Sequence, residues 1–224
     1  KEMKCDFHEC YGASEVGIVS NLSPETSLKK LHTVGKAVPG VEIKIVDDKR
    51  NPVAIGEIGE IACKSTMRFS RYYNNEEATL QSMVDGLFYT GDMGCLDEDG
   101  YLVFSGRKKE IIITGGTNVY PMDIEAVLND HPKVKECAVI GAEDKRFGEA
   151  VVAFVISPEG EELSSRELQR YCLHRLADFQ QPLAYVFVDD FPRTELGKVI
   201  KRKLADQCYG QDMTEELRAI LETS

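Results

Sequence analysis

Apolar and polar residues alternate first at Val41, Ile43 and Ile45, which are separated by Glu42 and Lys44 and followed by Val46. A period of two predicts a half-buried strand. Asp47 to Pro52 is dense in turn residues, and Glu57 to Lys64 reads as a second strand, so 41–64 is expected to be a hairpin. Before it, residues 9–20 read as a glycine-punctuated loop, and residues 22–40, rich in Ser, Pro, Thr and Lys, as an exposed connection. After it, Asn74 with Glu77 three positions on predicts a helix cap, with Leu80, Met83 and Val84 on one apolar face and Asp85-Gly86 as the stop. Leu87–Thr90, Met93–Leu96 and Tyr101–Ser105 read as strands, the last two joined by a turn at Asp97-Glu98-Asp99-Gly100.

The period changes near Gly106-Arg107. Ile111 to Thr114 is a short apolar strand that breaks at Gly115-Gly116, and Pro121 suits the first turn of a helix. Ile124, Val127 and Leu128 give that helix its apolar face, and His131-Pro132 closes it. Val134–Ile140 and Ala150–Ile156 read as strands. Ser164 with Glu167 forms a capping-box pattern before the stripe Leu168, Tyr171, Cys172, Leu176. Val186–Val188 is a further strand and Thr214–Leu221 a last helix. The expected fold class is α+β: a small antiparallel β subdomain over 1–106, then a domain over 107–224 with a small sheet covered by helices.

Composition changes this picture little. The 224 residues carry a formal net charge of −11, which argues against nucleic acid or an anionic membrane as main partner. The seven cysteines, Cys5, Cys10, Cys63, Cys95, Cys137, Cys172 and Cys208, are scattered without a C-x-x-C pair. They read as reduced thiols of a cytoplasmic protein rather than a disulfide or zinc framework. His8, His32, His131 and His174 stand far apart, which gives a histidine metal site little support. No apolar run is long enough to span a bilayer, and the opening residues do not resemble a signal peptide.

Four stretches carry candidate chemistry. In Tyr11-Gly12-Ala13-Ser14-Glu15 the tyrosine offers a flat face for a purine, and the glutamate offers a hard oxygen for magnesium. Asp92, after Thr90-Gly91 at an expected strand end, could accept bonds from both hydroxyls of a ribose. Arg107 is a fixed cation for that ribose or an α-phosphate. Lys108 and Lys109 read more simply as a solvated charge pair, and Gly115-Gly116 as a plain turn. Lys198 follows Gly197 in Phe191-Pro192-Arg193-Thr194-Glu195-Leu196-Gly197-Lys198. No glycine stands five residues before Gly197, so this is not a Walker loop. It is a lysine on a glycine-flanked loop, or the start of a basic helix. Taken singly, the first stretch is better read as a solvated turn and Asp92 as the cap of a turn.

Taken in order, Tyr-Gly-x-Ser-Glu, Thr-Gly-Asp, Gly-Arg with an Ile-rich strand and Gly-Gly, and Pro-Arg-Thr-x-x-Gly-Lys resemble the adenylate-forming superfamily. Its members are acyl-CoA synthetases, luciferases and the adenylation domains of peptide synthetases. Gly56-Glu57-Ile58-Gly59-Glu60-Ile61 and Arg71-Tyr72-Tyr73-Asn74-Asn75 fit the AMP-forming acyl-CoA synthetases best.

The resemblance implies a ligase that joins a small carboxylic acid to ATP and passes the acyl group to CoA. It implies that Tyr11, Gly12 and Ser14 line the adenine and α-phosphate site, that Glu15 helps hold Mg2+, and that Asp92 with Arg107 binds the ribose. Lys109 would be the hinge, Gly115 and Gly116 would flank the pantetheine tunnel of CoA, and Lys198 would be the adenylation lysine. Ser14 stands where relatives usually have Thr, with the hydroxyl retained, and Lys109 where bacterial relatives often have Asp. The family's Ser/Thr/Gly-rich phosphate loop ending Pro-Lys-Gly is absent from these 224 residues. The resemblance therefore implies the C-terminal part of a longer enzyme, with 1–106 from the large domain and 107–224 as the lid, inactive in isolation. Two alternatives stay open: an adenylation domain that loads a carrier protein, and a truncated, non-catalytic nucleotide-binding module.

Overall fold

Of the 224 residues, the computed structural model describes residues 5–209. Contacts divide the chain into two units, Lys1–Lys109 and Glu110–Ser224.

In the first unit, β1 (Glu9–Ala13) and β2 (Gly17–Leu22) pair antiparallel with a bulge between Tyr11 and Gly12. This corrects the loop expected over 9–20. Gly12 belongs to the strand: a Cβ there would run into the carbonyl oxygen of Gly17, so the glycine marks close backbone approach rather than a loop. After a single helical turn, α1 (Pro24–Ser27), the short β3 (Lys36–Ala37) adds to β2. The expected hairpin is present as β4 (Val41–Val46) and β5 (Gly59–Ser65), antiparallel from Val41↔Ser65 to Val46↔Glu60.

The next segment departs from its helical reading. Helix α2 (Glu76–Ser82) is capped by Asn75, whose side chain accepts from the Ala78 N–H; Asn74, the expected cap, sits at φ 49°. Leu80 is 66% exposed, and Met83–Val84 is strand β6. Asp85 and Gly86 both take positive φ, 52° and 79°, the signature of a two-residue primed turn. That turn folds β6 back onto β7 (Leu87–Leu96) and wins over the three-four spacing. β7 is one long strand that also pairs with β5 and with β8 (Leu102–Arg107). The core of this unit includes Val16, Val19, Ile61, Cys63, Phe88 and Leu102, each at most 3% exposed. Burying side chains of this size is worth roughly 1.5–3 kcal/mol apiece.

A 3-10 turn at Lys108–Glu110 leads into the second unit. There β9 (Ile112–Thr114) and β10 (Thr117–Val119) form a hairpin around Gly115-Gly116. α3 (Pro121–Asn129) follows with Pro121 in its first turn and Ile124 and Leu128 wholly buried. β11 (Glu136–Asp144) and β12 (Gly148–Ile156) pair antiparallel over nine positions. α4 (Ser165–Cys172) is capped by Ser164, which accepts from the Glu167 N–H. It crosses to β13 (Ala184–Phe187), parallel to β12, and α5 (Lys201–Tyr209) follows. The sheet order is β10-β9-β12-β11 with β13 beside β12.

β12 is apolar on both faces, as expected of a strand covered on both sides. Val151, Ala153 and Val155 meet Ile124, Leu128, Leu168 and Cys172, while Val152, Phe154 and Ile156 meet Ala184, Phe191 and Leu204. The unit is the expected small sheet covered by helices. The helix expected at Thr214–Leu221 lies outside the described residues. Among the described residues no helix is long and apolar enough to cross a membrane.

Candidate functional site

Asp92 is not at a strand end but in the middle of β7, on a bulge. Glu60 pairs with Met93 and Ala62 with Tyr89, so Thr90, Gly91 and Asp92 stand against Ile61 alone. Side chains hold this irregular stretch where the ladder cannot. The Thr90 hydroxyl donates to the Ile61 carbonyl at 2.8 Å and accepts from the Asp92 N–H at 3.0 Å. The Gly91 N–H donates to Glu60 Oε1 at 3.2 Å, and Gly91 takes φ 72°.

The bulge brings three predicted residues together. The Tyr11 hydroxyl donates to Asp92 Oδ2 at 2.8 Å, and Arg107, paired with Asp92 across β7 and β8, sets its Nε 3.6 Å from Oδ1. Burial pushes the Tyr11 phenol well above its ordinary pKa, so it stays a donor at neutral pH. Its ring packs on Phe104, with centroids 5.6 Å apart. The Asp92 side chain is 15% exposed and that of Arg107 51%. The arrangement is a shielded carboxylate beside a half-open guanidinium.

Ser14 and Glu15 lie in the turn between β1 and β2, directly after the strand that carries Tyr11 and Gly12. Glu15 is fixed at both ends: Oε1 accepts from the Tyr72 hydroxyl at 2.9 Å, and its carbonyl accepts from the Phe69 N–H at 2.6 Å. Ser14 is exposed. Among the described residues no three or more His, Cys, Asp or Glu side chains cluster as a metal cage.

Lys108 and Lys109 are both exposed, as expected, but Lys108 is also ion-paired. Its ammonium lies 2.9 Å from both Asp48 Oδ1 and Glu60 Oε2, which raise its pKa. Lys109 is exposed, and the division into units falls directly after it.

In the second unit Gly115 and Gly116 take φ 57° and 80°, values that suit the two-residue turn between β9 and β10. The Gly115 N–H donates to the Phe147 carbonyl at 2.8 Å. A Cβ on Gly116 would meet nothing within 4 Å. Lys198 is exposed, on a loop closed by Thr194 N–H to Lys198 O at 2.8 Å and Lys198 N–H to Thr194 Oγ1 at 3.2 Å.

The sequence reading passed over Thr90, Glu60 and Tyr72, which hold Asp92 and Glu15 in place. All three lie inside stretches quoted for the family resemblance, the one signal that pointed to them. Two open clefts of about 580 and 690 Å3 lie along β4 and β5, lined in part by Glu42 and Lys64; none of the candidate residues lines them.

Residues 1–73 match the family model described as AMP-binding enzyme, and residues 123–198 the model described as AMP-binding enzyme C-terminal domain. A fatty acid--[acyl-carrier-protein] ligase, ScoC, from Streptomyces coeruleorubidus is 36% identical over 212 residues, covering 93% of this chain and 41% of that protein. A 2-succinylbenzoate--CoA ligase from Geobacillus kaustophilus is 39% identical over 205 residues, covering 91% of this chain and 42% of that protein. Among solved structures, the o-succinylbenzoate CoA synthetase of Bacillus subtilis, in complex with its acyl-adenylate intermediate, superposes with a TM-score of 0.84 at 37% identity, over 89% of this chain and 41% of that one. The same enzyme in complex with ATP and magnesium ion gives a TM-score of 0.83. The chain thus spans about two fifths of the length of these relatives.

Proposed function

The chain belongs to the AMP-binding, adenylate-forming enzymes, and from that premise we propose that it serves an AMP-forming acid–thiol ligation. In the first step a carboxylate oxygen attacks the α-phosphorus of ATP, giving acyl-AMP and pyrophosphate. In the second the CoA thiol attacks the acyl carbon, giving the thioester and AMP. The observation that carries the reading is the Asp92 bulge. A shielded carboxylate, oriented by Tyr11 and set beside the Arg107 guanidinium, suits a ribose diol next to a phosphate.

Gly12 and Ser14 would line the adenine and α-phosphate side of that site. Glu15 would give one carboxylate oxygen to Mg2+. A single carboxylate suits this ion, which usually takes one or two together with phosphates and waters. Bound there, the ion would offset phosphate charge. Lys198 would supply positive charge where the carboxylate meets the α-phosphorus. The open turn at Gly115-Gly116 would leave room for pantetheine, and Lys109 would be the pivot between the two steps, a rigid-body exchange of arrangements. The nucleotide substrates and the buried free thiols of Cys63, Cys137 and Cys172 favour a cytoplasmic setting.

A second reading keeps the first step and changes the acceptor to a carrier-protein thiol; the Streptomyces relative, named for such an acceptor, favours it. The test is a chimera in which this chain replaces the matching region of the Geobacillus kaustophilus ligase. Pyrophosphate release with 2-succinylbenzoate and ATP supports the adenylation reading, and its loss in a folded chimera opposes it. Thioester formed on CoA, on a phosphopantetheinyl carrier protein, or on both then decides the acceptor.

A further inference from the structure

The loop that carries Lys198 has almost no packing of its own. Glu195, Leu196, Gly197 and Lys198 are exposed, Leu196 to 88%. Gly197 sits at φ 82°. Backbone bonds close the loop on itself, Thr194 N–H to the Lys198 carbonyl and Ile200 N–H to the Pro192 carbonyl, and a cation at each end ties it to the rest of the domain.

At the entry, the Arg193 guanidinium grips the Glu136 carboxylate with both terminal nitrogens, at 3.1 and 2.5 Å, and Nη1 also donates to the Gly197 carbonyl at 3.1 Å. Its Nε lies 3.6 Å from Asp190 Oδ1. Glu136 opens β11, which is zipped to β12 over its whole length. One planar group therefore ties the residue before Lys198 to the most regular part of the sheet. At the exit, Lys201 opens α5. Its ammonium lies 2.7 Å from Glu125 Oε1 on α3 and 3.5 Å from Glu110 Oε2. Glu125 Oε1 also accepts the Val139 N–H at 2.7 Å.

We infer that Arg193 and Lys201 are positioning residues for Lys198. They fix the direction in which its side chain leaves the domain, and Lys201 links that loop to the residue next to Lys109. The inference rests on the reading of Lys198 given above. The Arg193–Glu136 pair is about a third exposed, and exposed ion pairs contribute little to stability, so stability does not account for it. A guanidinium fork does impose geometry: it holds two acceptors in one plane, which an ammonium cannot.

The test has two arms. In the 224-residue chain, backbone 15N relaxation of residues 194–198 should match that of β11. Arg193→Lys and the near-isosteric Glu136→Gln should release the loop to fast motion, with the urea midpoint of unfolding hardly changed. Lys201→Met should loosen its exit, and Lys201→Arg should restore it. In the chimera, Arg193→Lys should slow adenylation by about 10- to 100-fold, the usual penalty for misplacing a reacting group by about 1 Å, and leave thioester formation from supplied acyl-AMP unchanged. An ordered loop in both Arg193→Lys and Glu136→Gln overturns the inference. A released loop with unchanged adenylation overturns instead the reading of Lys198 on which it rests.

Discussion

Cys63 sits in the middle of β5, wholly buried against Val16, Val19 and Phe88, and burial lifts its thiol pKa to about 11. An acid whose pKa is higher folded than unfolded contributes stability below its unfolded value, which for a thiol is about 8.5. That contribution is lost as pH rises through the folded value. Between these limits the unfolded thiol ionises and the folded one does not. Urea unfolding followed from pH 7 upward should therefore show a decline in stability over that window, and Cys63→Val should make it shallower, the buried thiols of Cys137 and Cys172, also raised by burial, supplying the remainder. Superimposable curves for the two proteins would show that Cys63 does not couple to folding there. Thr90 is the second residue whose role is local. Its hydroxyl both donates to Ile61 and accepts from Asp92. Thr90→Val leaves two backbone groups without this partner, at a cost of about 1–3 kcal/mol. Denaturant unfolding measures that cost. Amide shifts at Gly91 and Asp92 should move with it; a variant as stable as the original, with those amides unmoved, would show that the bulge does not depend on Thr90.

At the scale of elements, the parts legible in the sequence are those that a single period determines. β12 is read correctly because seven consecutive apolar residues, Ala150 to Ile156, between turn signals leave little choice. β4 is read correctly because its alternation is clean, and α3 because Pro121 and the Ile124–Leu128 spacing agree. The misreadings have physical causes. In β1 a glycine needed for close strand approach imitates a loop. At 83–84 a helical spacing competes with a two-residue turn, and pairing across that turn decides. The Asp92 bulge is a matter of register between strands about 30 residues apart, which local pattern does not carry. The same limit hid Arg193, whose partner Glu136 is 57 positions away. One element offers a direct check on these assignments. Asn75, not Asn74, accepts from the Ala78 N–H, at 3.0 Å. Asn75→Ala should cost about 1 kcal/mol, the usual value of a lost side-chain cap, and Asn74→Gly, which keeps the positive φ without strain, much less. Paired thermal melts distinguish them; equal losses would mean that the cap is not at Asn75.

For the whole molecule, the division after Lys109 and the proposed roles on either side of it lead to two linked expectations. The first is that residues after Lys109 fold by themselves, because each unit has its own sheet and its own core. Limited proteolysis should cut at 106–110 and leave a stable C-terminal piece, whereas preferential cutting inside 134–189 would oppose that boundary. The second concerns chemistry in the chimera. A lysine charge stabilises the first step only, while the carboxylate attacks phosphorus. Lys198→Ala should therefore slow adenylation by roughly 10²–10³-fold, the usual loss for one preorganised electrostatic group, and barely change thioester formation from supplied acyl-AMP. Gly116 offers no charge, only room beside the backbone. Gly116→Leu should spare pyrophosphate release and block CoA acylation. Because Gly116 takes φ 80°, leucine also strains the turn, so Gly116→Asn is the control: asparagine tolerates the left-handed region far better. If bulk is the cause, the asparagine variant keeps much of the second step. If strain is the cause, the two lose it in proportion to the damage seen in the β9–β10 amide shifts. Each half-reaction is timed separately for every variant. A Lys198 or Gly116 substitution that slows both steps equally would remove the assignment of these residues to different steps and leave them as supports of the fold.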